Sequence, residues 1–538
     1  MTADPLAPLD LAFWHLESAE HPMHLGALGV FSAPSPTAGA HAADLLAARA
    51  AGVPGLRMRI RDTWHPLAFG GALREPAPGF DPLHHVVLHA PTPDFQAEAG
   101  RLMQRPLDRA RPPWEAHVLP GEDGTAFAVL FKFHHALADG LRALTLAAAL
   151  LDPMEPPEPR RPRPAPARPT GVRRLTGLAG AALSGAARLT APARDALAAP
   201  ARRALPDPSR LPDPGRLLGP VRGVLDTSAK LSATVRHALP GPFLAAAEAA
   251  ADAAADPLAD ALTAAAALPA RLRDALSSAG RALDIGASVA VSGLGTRPSA
   301  ALTAGPSGTR RTAGAVIDID DVHRVRKAVG GTVNDVLIAV VAGALRRWLD
   351  ERGDGNDVTP RALVPVSQRR PRSAQPQGNR LSGYLVRLPV HEADPVARLA
   401  AVRTAMDRNK DAGPRRGAGA VALLADHVPP LGHRLGGPLA GQAARLWFDV
   451  LVTSVPLPGI GLRLGGHPVV EVYPYAPLAR GQALAVALSG YRGRVHVGLV
   501  ADAAAVPDLD RLASALTAEV ETLVTAASTG LEDGPGGP

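Results

Sequence analysis

The sequence predicts an α/β protein of two layered domains, and three observations carry that prediction. Alternating and helical hydrophobic patterns follow one another through residues 1–151. The same succession returns over residues 306–538. Between them, residues 152–305 turn Ala-, Pro- and Arg-rich, the composition of an insert and linker. At 538 residues the chain exceeds one ordinary core. We therefore divide it into an N-terminal domain, an insert and a C-terminal domain.

Along the N-terminal stretch, Pro8 and Leu9 lead into a short helix through Trp14, with Asp10 as its predicted N-cap. Residues 23–31 are strand-like and 40–51 helical. Residues 56–61 alternate strictly, as a half-exposed strand does, and 85–88 form another short strand. Pro112 and Pro113 forbid helix and hold the chain extended past Trp114 into a strand over 116–119. Phe127, Val129, Phe131 and Phe133 then alternate as a strand with one buried face. Strand parity places His135 on that aromatic face and His134 on the opposite one. A helix over 143–151 follows.

The insert carries most of the basic charge. Residues 159–224 hold thirteen Arg against three Asp, a local +10 that leaves −3 of the net +7 elsewhere. Residues 153–169 read as a semi-extended Pro/Arg linker and 173–189 as an amphipathic helix. Six prolines break the pattern over 200–220, and 243–283 is Ala-rich and helical. Such an arm suits contact with an anionic membrane or a partner, though a biased composition also produces inert insertions.

In the C-terminal stretch, residues 315–319 form a strand and 336–349 a long apolar helix opened by Thr332, Asn334 and Asp335. Those residues sit at its positive end, where they either cap the helix or face developing negative charge. Residues 362–367, 383–390 and 447–455 are strands, and 396–408 is helical. Residues 482–491 and 494–500 pair as a hairpin around Arg492-Gly493, and a helix over 509–526 closes the fold.

Composition excludes several functions. Without cysteine there is neither a disulfide framework nor a thiolate nucleophile or metal site, and a cytoplasmic setting fits. No secretory leader is evident, and no apolar run reaches the roughly 18 residues that span a bilayer. Because the basic charge sits in one region, a nucleic-acid-binding surface is not expected. We find no Gly-x-Ser-x-Gly elbow, so covalent serine catalysis has no support.

The chemistry concentrates in Phe133-His134-His135-Ala136-Leu137-Ala138-Asp139-Gly140. A histidine at the end of an apolar strand, beside a carboxylate, is suited to act as a general base. The spacing His-His-x-x-x-Asp-Gly resembles the signature shared by chloramphenicol acetyltransferase, peptide-synthetase condensation domains and plant alcohol acyltransferases. Further stretches narrow the resemblance: Pro8-Leu9-Asp10, Arg105-Pro106-Leu107-Asp108 running to Pro113-Trp114, Asn334-Asp335, Val364-Pro365-Val366-Ser367 and Tyr491-Arg492-Gly493. Together these resemble the bacterial wax ester synthase/acyl-CoA:diacylglycerol acyltransferase family over nearly all of the chain outside the insert. Plant alcohol acyltransferases carry an Asp-Phe-Gly-Trp-Gly element that is absent here. Ser454 in Thr453-Ser454-Val455-Pro456 stands where the family usually has Asn.

The resemblance implies two chloramphenicol-acetyltransferase-like domains with mixed sheets and a tunnel between them. It implies His135 as base, with His134, Asp139 and Gly140 shaping its loop, and Asn334 and Asp335 lining the site from the second domain. Pro113, Trp114 and Phe133 are expected on the substrate side. The implied substrates are acyl-CoA, as co-substrate with no further cofactor or metal, and an apolar alcohol: diacylglycerol or a fatty alcohol. The expected setting is cytoplasmic, peripheral on the inner membrane face or on lipid droplets. Two other readings remain beside this one, an acyltransferase of specialised metabolism and a lipid-binding relative without turnover.

Overall fold

The computed structural model describes residues 3–63, 71–154, 299–305, 307–367, 381–412, 448–457 and 460–532. The helices and linkers predicted between 155 and 298 lie outside the described residues, as does the loop 368–380.

The first half runs β1 (Asp4–Pro5), α1 (Pro8–Leu16), β2 (His24–Ser32), α2 (Ala38–Ala50), β3 (Met58–Asp62), β4 (Ala72–Pro76), β5 (Val86–Leu88), α3 (Phe95–Gln104), β6 (Trp114–Pro120), β7 (Ala126–His134), α4 (Gly140–Ala148) and β8 (Asp152–Pro153). The second runs β9 (Arg310–Asp318), α5 (Ile319–Val329), α6 (Val333–Arg352), β10 (Arg361–Ser367), β11 (Leu381–Arg387), α7 (Pro395–Ala412), β12 (Val450–Ser454), β13 (Leu462–Leu464), β14 (His467–Tyr475), β15 (Leu484–Tyr491), β16 (Arg494–Asp502) and α8 (Leu509–Glu532). Helix α3 has no counterpart among the predicted elements; Asp94 caps it by accepting from the Gln96 and Ala97 amides. The β15–β16 hairpin turns at Arg492 and Gly493, both with positive φ, as the two-residue loop requires.

The protein is mixed α/β, as predicted, and both large sheets are mixed. Seven strands order as β5-β6-β7-β2-β14-β13-β8, with β5 and β6 parallel. Six order as β11-β10-β12-β15-β16-β9, with β12 parallel to both neighbours. A small third sheet holds β1, β4 and β3. Residues 152–153, counted with the insert above, form the edge strand of the first sheet.

The two halves are interlocked by β14, which leaves the second half to pair with β2 inside the first sheet. Pro468 and Pro474 erase its strand signal in the sequence, because proline is normally kept out of inner strands. It also passes close over the second sheet. A Cβ on Gly314 would lie 2.3 Å from the Tyr473 ring, and one on Gly498 would lie 1.8 Å from the Pro474 carbonyl oxygen. Leu28, Leu130, Tyr473, Tyr475, Ala485 and Val500 form a buried cluster joining residues of both sheets. Among the described residues no single helix is long and apolar enough to cross a membrane.

Candidate active site

Strand β7 ends at His134, the last rung of its pairing with β2. The His134 amide donates to the Pro113 carbonyl at 2.9 Å. Its Nδ1 accepts the Ala136 amide at 3.0 Å, so the neutral ring carries its proton on Nε2. That nitrogen lies 3.4 Å from Oε2 of Glu17, and both side chains are buried. The Met23 amide donates to Glu17 Oε1 at 3.1 Å, and the Met23 carbonyl accepts from the His135 amide at 2.8 Å. Burial pushes the Glu17 carboxyl up, but the His134 ring, the Met23 amide and the charge of Arg109 outweigh it and hold the group below its usual range. Trp14 meets His134 edge-on, and Arg109 stacks 3.7 Å over Trp14 while donating to its carbonyl.

His135 lies beyond the strand, so the turn rather than strand parity sets its direction. The Leu137 and Ala138 amides both donate to the His134 carbonyl, folding the chain back at this point. The His135 ring stacks on Phe13 of α1 with centroids 3.9 Å apart, not on the Phe127-to-Phe133 face that parity assigns. Burial pushes its pKa down to about 4; the His134 ring adds to that, while its own carbonyl and Asp139 resist. The ring is therefore neutral near pH 7.

The rest of the motif shapes this loop. Asp139 is the N-cap of α4 and accepts the Arg142 amide at 2.8 Å. Asp10 does not cap α1 as predicted. The helix begins at Pro8, whose fixed φ suits the first helical position, and Asp10 falls in the first turn. There it lies 3.4 Å from Arg74, whose Nη2 also donates to the Ala136 carbonyl at 2.9 Å. An acidic residue near the start of the chain thus holds the histidine loop through one arginine.

The second half supplies the opposite wall. Gly140 abuts Val455, whose Cγ2 would lie 3.2 Å from a Cβ at that position. Next to it, Ser454 Oγ donates to Asn334 Oδ1 at 3.4 Å. Asp335 turns inward and closes a capping box with Thr332: its carboxylate accepts the Thr332 amide at 2.8 Å and Thr332 Oγ1 accepts the Asp335 amide at 3.2 Å. So Asn334 is linked to the motif through residues 454–455, whereas Asp335 builds the helix start. Trp114 and Phe133 are buried behind the motif, with Trp114 Nε1 donating to the Leu56 carbonyl, and Pro113 holds His134 by its backbone. Glu17, Phe13, Arg74 and Arg109 were not singled out from the sequence. Arg109 falls in the Arg105-to-Trp114 stretch and Phe13 in the helix opened by Pro8-Leu9-Asp10; nothing in the sequence pointed to Glu17 or Arg74.

Comparison with known proteins gives the family. Residues 6–337 match the wax ester synthase/diacylglycerol acyltransferase catalytic domain, and residues 377–523 match the C-terminal domain of the same family. A probable diacylglycerol O-acyltransferase of Mycobacterium tuberculosis H37Rv, tgs2, is 28% identical over 534 residues, covering 97% of this chain and 98% of that protein. A second, putative diacylglycerol O-acyltransferase of the same strain is 29% identical over 556 residues, covering 97% and 99%. Among solved structures, the wax ester synthase/diacylglycerol acyltransferase of Marinobacter aquaeolei VT8 superposes with a TM-score of 0.58 at 22% identity, over 97% of this chain and all of that one. The trichothecene 15-O-acetyltransferase TRI3 of Fusarium sporotrichioides follows at 0.53 and 10% identity, over 96% and 94%. With both domain matches running through the histidine loop and the wall that faces it, the chain is an acyltransferase and belongs to the wax ester synthase/diacylglycerol acyltransferase family.

Proposed function

We propose that the protein moves a long-chain acyl group from acyl-CoA to the hydroxyl of a diacylglycerol or a fatty alcohol, with His135 as general base. The observation that carries this reading is the neutral His135 ring, stacked on Phe13 at the turn of the motif loop. The neutral ring takes the hydroxyl proton as the alcohol oxygen attacks the thioester carbonyl carbon. The carbonyl oxygen becomes an oxyanion, for which the Gly140 and Leu141 amides that open α4 and the Asn334 carboxamide are the donors at hand. The C–S bond then breaks, and the CoA thiolate leaves with the proton held by His135. Asp139 favours the protonated imidazole in between. Acyl-CoA enters as co-substrate, and the scheme needs no other cofactor.

The names of the mycobacterial relatives support diacylglycerol as acceptor. Such apolar substrates suit our proposal of a cytoplasmic setting, peripheral on the membrane or on lipid droplets, with the Arg-rich residues 159–224 as the anionic-lipid contact. The test is CoA release by purified protein given palmitoyl-CoA with dioleoylglycerol or hexadecanol, followed by identification of the neutral ester. Each buried methylene contributes about 0.8 kcal/mol, so palmitoyl-CoA should far exceed acetyl-CoA. Preference for acetyl-CoA and a small polar alcohol would overturn the reading.

A further inference from the structure

Helix α1 presents one side to the histidine motif. Asp10, Phe13, Trp14 and Glu17, which follows its last residue, recur at the i, i+3, i+4 and i+7 spacing of a single helix face. Asp10 reaches the loop through Arg74 and the Ala136 carbonyl, Phe13 stacks on His135, and Trp14 meets His134 edge-on. Glu17 acts on both histidines. Its Oε2 lies 3.4 Å from Nε2 of His134, which has no other partner among the described residues. Its Oε1 accepts the Met23 amide at 3.1 Å, and the carbonyl of the same Met23 accepts the His135 amide at 2.8 Å.

Two N–H groups, one on a ring and one on the backbone, therefore converge on a single carboxylate. The Glu17 side chain is 4% exposed and that of His134 0%, and a buried charge costs stability unless donors meet it. Glutamine would avoid that cost, but a carboxamide has one acceptor oxygen, and only a carboxylate accepts at both ends. We infer that Glu17 is a positioning residue for acyl transfer, whose carboxylate holds the His134 ring and the Met23 peptide together and so fixes where the His135 ring stands. The inference rests on the proposed acyl-CoA-dependent O-transfer with His135 as base.

Geometry keeps Glu17 out of the chemistry itself. Both of its oxygens are turned to donors of the protein, so neither is left to take a proton from an alcohol. Burial pushes its carboxyl up, yet the His134 ring, the Met23 amide and Arg109 hold it below the usual range, which makes it a poor base and a lasting anchor near neutral pH. The leverage is short. Met23 directly precedes β2, whose first residue, His24, is the register partner of His134. A shift of Met23 is thus passed to His135 through one hydrogen bond, and a misplacement of about 1 Å costs about 10²-fold in rate.

The test compares Glu17→Gln and Glu17→Asp with wild type, using palmitoyl-CoA with dioleoylglycerol and with hexadecanol. Titration with palmitoyl-CoA counts the binding-competent protein in each preparation, so turnover is read per site whatever the folded fraction. The inference expects kcat per site to fall about 10- to 100-fold in Glu17→Gln, with KM for palmitoyl-CoA unchanged. Glu17→Asp keeps two acceptor oxygens and should retain more of the rate than Glu17→Gln. In protein carrying isotope-labelled histidine, one downfield imidazole N–H signal of wild type should be lost or shifted upfield in Glu17→Gln. A wild-type kcat per site in Glu17→Gln, a loss confined to KM, an aspartate variant slower than the glutamine one, or an unchanged imidazole spectrum overturns the inference. Wild-type protein that releases CoA with neither acceptor overturns the underlying reading, and this inference with it, before any variant is compared.

Discussion

The Nε2 atom of His134 stands 3.4 Å from the carboxylate of Glu17, and the amide of the neighbouring His135 is tied to Met23, which also holds Glu17. The two motif histidines are therefore divided in duty by geometry. One is fixed between a carboxylate and a backbone amide, and the other turns out of the strand to stack on Phe13.

This division predicts opposite phenotypes. His134→Ala leaves Glu17 buried without its ring partner and should cost about 3 kcal/mol of stability, read as a lower denaturant midpoint. His135→Ala should keep the melting transition while slowing CoA release about 10²- to 10⁴-fold, the range for a lost general base. A stable His134→Ala protein with the larger rate loss would reverse the assignment.

Asp139 separates capping from charge. Asparagine caps helices as well as aspartate does, so Asp139→Asn should melt near wild type, whereas Asp139→Ala should lose about 1 kcal/mol. Both remove the charge that favours protonated His135, so both should slow turnover. A normal rate in Asp139→Asn would show that its charge does not assist the base.

Acid should affect rate and stability in different windows. With His135 pushed down to about 4, kcat/KM should stay flat below the usual histidine midpoint and decline only near pH 4. An inflection close to 6.5 would place the rate on another group. Stability should fall earlier. His21, His24, His85, His89, His117, His135 and His496 all have lowered folded pKa values, chiefly through burial. The unfolded chain binds these protons first, so stability is full above about 6.5 and is lost as pH falls below it. Glu115 adds a second loss. Burial works to raise its carboxyl, but His117 and Lys132 hold it at about 2, so its contribution disappears as pH falls from its ordinary range toward that value. Denaturant midpoints measured from pH 8 to 2 would show both; a flat profile to pH 5 would contradict the histidine contribution.

Arg74 should be coupled to Asp10. Arg74→Met removes the cation beside the buried Asp10 carboxylate and the donor to the Ala136 carbonyl, with an expected cost of about 3–5 kcal/mol. Adding Asp10→Asn should recover part of it, because the uncompensated charge is gone. Additive losses in the double variant would mean that the two residues act independently.

Much was legible in the sequence because it depends on neighbours in the chain. The alternation of Phe127 to Phe133 set a strand, Thr332 stood as a candidate cap for the helix that follows it, and Arg492-Gly493 marked a hairpin. The spacing of His134, His135, Asp139 and Gly140 located the chemistry for the same reason: one strand end and one helix start form it. Local order does not reveal what meets across long separations. Arg74 reaching Asp10 and Ala136, Glu17 under His134, and Val455 against Gly140 are all set by which strands became neighbours. Strand parity also stops where a strand stops, so only the turn after His134 could aim His135 at Phe13. The insertion of β14 beside β2 was decided in three dimensions, where Gly314 and Gly498 leave room for a proline-bearing strand that its own sequence argues against.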